Sequence, residues 1–205
     1  MISFFKKFKI NKKVKFNRGM TYVELIVVLS IFSIMSSIVL FNYNKFQAKV
    51  DIKNLANDIA LKIVEAQKSA MSGKLPALSF DPSWKPSYGV YFNTANPKNF
   101  IYFTDINNDN FYTDPGCTGE CLDNPLINKG NFISSLDLVN PSSDTSRPPT
   151  INDLTIDFTR PNSNAVISSA GQKITGIDHV QITVSSPQGI KAYIKVYPSG
   201  RVQIN

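Results

Sequence analysis

Between Gly19 and Gly73 the chain contains neither glycine nor proline. These residues interrupt helices most strongly, at about 1 and 3 kcal/mol relative to alanine. The 53 residues 20–72 are thus free to form one helix, about 80 Å long at 1.5 Å per residue. All twelve prolines lie at or beyond Pro76, and Gly73 stands where a left-handed C-terminal residue is expected.

The helix has two halves of different chemistry. Leu25–Asn44 carries no charged side chain, and Leu25–Phe41 is dominated by Leu, Ile, Val and Phe. Twenty such residues span about 30 Å, the thickness of a bilayer core. From Lys45 the pattern becomes amphipathic. Phe46, Val50, Leu55, Ile59, Ile63, Ala66 and Ala70 are expected to form one buried stripe, with Lys49, Asp51, Lys53, Asp58, Lys62, Glu65 and Lys68 on the remaining surface.

Charge separates the N-terminus from everything after it. Of 22 basic residues, seven (Lys6, Lys7, Lys9, Lys12, Lys13, Lys15, Arg18) lie in residues 1–19, which hold no acid. The remainder has 15 basic against 15 acidic residues. The net charge of +7 thus belongs to the leader, and a basic body that coats DNA is disfavoured. The polybasic side is expected to stay cytoplasmic, with the rest of the chain outside.

Beyond Gly73 the apolar period changes to two. Leu154, Ile156 and Phe158 alternate with Asp153, Thr155 and Asp157; Val180, Ile182 and Val184 alternate with His179, Gln181 and Thr183; Ile190, Ala192, Ile194 and Val196 alternate with Lys191, Tyr193, Lys195 and Tyr197. Each reads as a strand with one face on a core. Turns are expected at Ser186–Gly189 and Pro198–Gly200, further strands at Tyr88–Phe92 and Phe100–Thr104, and a surface loop over Asn140–Thr150. The fold class is α+β: a long N-terminal helix and a C-terminal antiparallel sheet domain. Its parts are a leader (1–19), a membrane or filament-core helix (20–44), an amphipathic continuation (45–73) and an extracytoplasmic β-rich head (74–205).

The segment Arg18-Gly19-Met20-Thr21-Tyr22-Val23-Glu24 carries the functional signal. A basic leader meets a glycine, a lone glutamate follows five residues on, and then comes the apolar run. An acid at the edge of a membrane helix is costly unless paired, and no Lys or Arg lies in the run. A free amine at Met20 of a neighbouring copy is a suitable partner, and the helix N-terminus also favours a carboxylate. This stretch resembles the N-terminus of type IV prepilins and type II secretion pseudopilins over about residues 15–45. The resemblance implies cutting after Gly19 by a prepilin peptidase, N-methylation of Met20, and Glu24 as the assembly glutamate. Met20 replaces the family's usual phenylalanine, and Phe41 stands where many members have proline.

The resemblance further implies a structural filament subunit, pilin or minor pseudopilin. Its partners would be the peptidase/N-methyltransferase, other subunits and the inner membrane, which it would cross once. No catalytic constellation is apparent, so no enzyme is expected. Two other readings are an uncleaved membrane-anchored module for calcium or adhesion, and a DNA-uptake subunit. Ser30, Ser33 and Ser37, with Ser36, form a small-residue stripe that permits close helix approach.

Three features of the outer domain are candidates for chemistry. Asp105, Asn107 and Asp109, with Asp114 nearby, suit calcium by spacing or else form a polar turn. Asn110 takes the EF-hand glycine position, and Gly116 stands in place of the twelfth-position glutamate. An acidic loop after a strand is also what the resemblance to minor pseudopilins implies. Cys117 and Cys121 are candidates for a short disulfide outside the cytoplasm, whereas zinc would need ligands beyond them and the one histidine. His179 reads as a surface residue. Lys191, Tyr193, Lys195 and Tyr197 share one face, where nucleic acid would stack if it bound.

Overall fold

The computed structural model of the chain describes residues 19–75, 85, 87–114, 116–140 and 149–205. Residues 1–18 of the leader and residues 141–148 of the expected surface loop lie outside them.

The described residues form one helix followed by eleven strands. Helix α1 runs Tyr22–Ser72. The strands are β1 (Ser87–Asn93), β2 (Ile101–Thr104), β3 (Cys121–Asp123), β4 (Phe132–Val139), β5 (Thr150–Ile151), β6 (Asp153–Thr159), β7 (Ala165–Ser169), β8 (Gln172–Lys173), β9 (His179–Ser185), β10 (Lys191–Val196) and β11 (Val202–Ile204). The chain is thus a long N-terminal helix and an antiparallel β region. It divides into two compact units, the first ending at Tyr43 and the second running from Asn44 to Asn205.

In the first unit the apolar part of α1 is long and apolar enough to cross a membrane, and its most apolar window has no buried share. Leu25, Ile26, Leu29, Phe32, Ile34 and Leu40 are all exposed.

The second unit holds the core. Ile52, Ala56, Ile59, Ile63, Ala66 and Ala70 of α1 are buried together with residues of both sheets in one apolar cluster. Their spacing of four and three by turns keeps one stripe of the helix inward. This corrects the first part of the expected stripe: Phe46 is 64% exposed and Val50 and Leu55 are only half-buried, whereas Ala48 and Ile52 point inward; the expected Ile59, Ile63, Ala66 and Ala70 are buried. Small alanines hold the inward line, so apolarity alone misplaced it. The C-terminus of α1 is a Schellman cap. Gly73 has φ +65°, the Gly73 N–H donates to Ala70 O, and the Lys74 N–H donates to Ser69 O, each at 3.1 Å.

The strands form a six-stranded sheet, β3-β2-β1-β6-β7-β8, and a five-stranded sheet, β11-β10-β9-β4-β5. One face of the first presents Tyr88, Val90 and Phe92 beside Phe158, Ile156 and Leu154, and all six are buried. Tyr102 Oη donates to Ser69 Oγ of α1 at 3.0 Å. The second sheet offers Val180, Ile182 and Val184 beside Val196, Ile194 and Ala192 to the same cluster.

The other face of the six-stranded sheet departs from expectation. Thr155 and Asp157 are buried and Asp153 is half-buried, although alternation placed all three outward. The segment after β2 folds back over them: the Tyr112 ring packs 5.0 Å from Tyr91 and 5.4 Å from Phe103. Gly89 lies between Phe103 and Asp157 in the register. A Cβ there would run into the Phe103 ring and Ile156 O, 2.6 and 2.7 Å away. His179 is also corrected: it is buried, its Nδ1 2.7 Å from Asp178 Oδ2 and its ring 5.2 Å from that of Tyr197. Strand β9 lies between β4 and β10, so both its edges are paired, and six of its seven residues are buried. The unforeseen strand β4 carries a register shift between Ile133 and Ser135, which breaks the period-two signal.

Candidate functional site

The start of α1 concentrates the residues singled out from sequence. Gly19, Met20 and Thr21 precede the helix and all are exposed. Nothing lies within 4 Å of a Cβ built on Gly19. Glu24 is the acid of the first turn and the sole charged residue between Gly19 and Tyr43. Its N–H donates to Thr21 Oγ1 at 3.2 Å, while the Leu25 N–H donates to Thr21 O at 3.1 Å. Thr21 is therefore the N-cap and Glu24 the third helical residue, the Thr-x-x-Glu pattern of a capping box. Sequence reading missed this although the signal was there. The bond is made by the Glu24 N–H, not by its carboxylate. Of the serine stripe, Ser30 Oγ donates to Val27 O at 2.8 Å; Ser33 and Ser37 are exposed and Ser36 is half-buried.

In the second unit the acidic segment is built from carboxylate-to-backbone bonds. Asp105 Oδ1 accepts from the Asp109 N–H at 3.3 Å and Oδ2 from the Asn110 N–H at 2.8 Å. Asp109 Oδ1 accepts from the Phe111 N–H at 2.8 Å and Oδ2 from Asn107 Nδ2 at 2.8 Å. Asn108 and Asn110 take φ of 59° and 65°, the left-handed region that Asn tolerates. Asp114 serves a different loop. Its Oδ2 accepts from the Gly119 N–H at 2.6 Å and its Oδ1 from the Gly116 N–H at 3.3 Å. These bonds, with the Gly119 N–H foremost, hold its carboxyl below the usual range. The Cys117–Cys121 disulfide closes that loop, with Cα atoms 4.7 Å apart.

The four candidate calcium ligands therefore fall into two turns. Among the described residues no three His, Cys, Asp or Glu side chains are placed to hold an ion. The carboxylate oxygens of Asp105 and Asp109 accept from backbone N–H groups, the bonding of a polar turn.

Beneath the segment lies a cluster that sequence reading did not find. Ser87 Oγ is 2.8 Å from both carboxylate oxygens of Asp157, and Thr159 Oγ1 donates to Asp157 Oδ2 at 2.9 Å. Burial pushes Asp157 up to about 7 against these hydroxyls, with the Asp105 charge adding to the rise. Asp105 is pushed up to about 6, chiefly by burial, and the charges of Asp109 and Glu120 add to it. Burial also raises Glu120. The visible signal was a pair of hydroxyl residues, Ser87 and Thr159, cross-strand neighbours in the register; pairing cannot be read without knowing that β1 lies beside β6.

No family model, curated protein or solved structure matches the chain.

Proposed function

We propose that this chain is a prepilin-type subunit of a type IV pilus-like or type II secretion filament. One observation carries the reading: an unburied apolar helical segment follows an exposed glycine and bears one charge, a glutamate in its first turn. Hydrolysis of the Gly19–Met20 bond adds water across it, leaving a carboxylate on the leader and an amine at Met20. N-methylation of that amine preserves its positive charge. In the filament, Glu24 of one copy meets this amine on its neighbour, and the apolar helices bury one another once they leave the cytoplasmic membrane. No cofactor and no catalytic step is required for this role.

A DNA-uptake role has less support. The guanidinium of Arg201 lies 3.8 Å from the centre of the Tyr197 ring and the His179 ring 5.2 Å away, so that ring is already occupied. A membrane-anchored module that never polymerises would share the helix but not the cleavage.

The test is intact mass and N-terminal analysis after co-expression with a prepilin peptidase. The expected product begins at N-methylated Met20. A product still beginning at Met1, with the peptidase active on a control substrate, overturns the reading. Glu24→Gln and Glu24→Ala then test the pairing role of the glutamate. Neither side chain pairs with an ammonium as a carboxylate does. Each variant leaves the neighbour's Met20 ammonium without its counter-charge, and an uncompensated charge in a membrane helix costs about 2.5–3.5 kcal/mol, so filament yield should fall roughly tenfold or more in both variants, with cleavage intact. Filament yield from Glu24→Gln equal to that of the natural chain would remove pairing as the role of this residue.

A further inference from the structure

At one end of the six-stranded sheet, the β6–β7 turn, β8, the Asn108–Asn110 turn and Lys85 surround a cleft of about 650 Å³. This lies within the roughly 300–1,000 Å³ usual for small-ligand sites. Asn108, Asn162, Asn164, Thr159, Lys85 and Lys173 are among the residues that line it, and its described lining holds neither an acid nor an aromatic ring.

The turns that carry the asparagines are held in place. Gln67 Nε2 donates to Ser163 O at 2.9 Å, and the Ala165 N–H donates to Pro198 O at 2.9 Å, which pins the turn bearing Asn162 and Asn164. The turn bearing Asn108 is fixed through the Asn110 N–H bond to Asp105. Neither lysine forms an ion pair with a described residue, and the amides of Asn162 and Asn164 form no hydrogen bond with one.

We propose that this cleft binds an acidic saccharide. An amide both donates and accepts, as does a sugar hydroxyl, so several asparagines around one cavity suit a polyol better than they suit a bare anion. Two unpaired ammonium groups add the complement of a carboxylate. Single-stranded nucleic acid fits less well, because the described lining of the cleft offers no aromatic surface on which bases stack. The site lies within the second unit, so it stands whether or not the chain assembles into filaments.

The test uses the full chain in detergent micelles and isothermal titration calorimetry with a short oligogalacturonate, a sialylated trisaccharide and a hyaluronan oligomer. Saturable binding of at least one is expected, with the neutral oligogalactose bound about tenfold more weakly. Lys85→Ala/Lys173→Ala and Asn162→Ala/Asn164→Ala should each weaken binding about tenfold, while Lys191→Ala/Lys195→Ala on another strand leaves it unchanged. Absence of saturable binding to all three acids overturns the proposal. So does undiminished affinity in the Lys85/Lys173 variant with its thermal unfolding midpoint retained, or equal affinity for inorganic phosphate or a single-stranded oligonucleotide.

Discussion

Asp157 lies wholly buried with its carboxyl group among the hydroxyls of Ser87 and Thr159. An acid whose folded value is raised holds a proton that the unfolded chain has released. The native state therefore binds more protons between the unfolded value, about 3.9, and about 7 for Asp157. Across that window stability falls as pH rises, then levels off. Asp105 acts in the same direction up to about 6, as does Glu120; the exposed Asp114, lowered by backbone bonds, opposes them only at more acidic pH. The urea midpoint of the second unit should thus decline from about pH 4 to about pH 7, a loss on the order of a few kcal/mol. Asp157→Asn should flatten the upper part of this slope. A midpoint that climbs across the window would show that the buried carboxyl is not protonated in the native state. At this scale the sequence was least informative, because a strand aspartate at an alternate position looks solvent-facing until a distant segment covers it.

Among elements, α1 shows how far periodicity carries. Its existence and its end at Gly73 followed from the absence of glycine and proline, since those residues act locally. Its inward stripe did not follow so easily. Phe46 outranks Ala48 in apolarity but not in burial, because only the alanine side lies close enough to the sheets. Ile63 is wholly buried, and Ile63→Ala should cost about 2–5 kcal/mol, whereas Phe46→Ala should change stability by about 0.5 kcal/mol or less. Chemical denaturation of both variants checks the phase: equal losses would contradict it. Among strands, β9 and β10 were legible from clean alternation. The register shift in β4 hid that strand, and pairing order within a sheet is nonlocal and leaves no mark on any single strand. The capping residue Thr21 was legible and overlooked; the cleft beside Asn162 and Asn164 was not, because its walls come from segments far apart in the chain.

For the molecule as a whole, the boundary between Tyr43 and Asn44 separates a segment with no buried apolar window from one whose apolar cluster begins at Ile52. A chain starting at Asn44 keeps every residue of that cluster. It should therefore remain soluble without detergent and unfold cooperatively, as size-exclusion chromatography and a denaturation curve would report; aggregation would mean that the cluster depends on residues before the boundary. The same economy of parts is visible at the other end of α1. Proteolytic clefts engage backbone in extended form, and a bond wound into a helix has its amide and carbonyl already spoken for. Thr21 ends the wound region just short of Gly19 and Met20, so the cap works as punctuation. In the proposed processing it would separate the part of the chain a peptidase takes as a peptide from the part wound into helix.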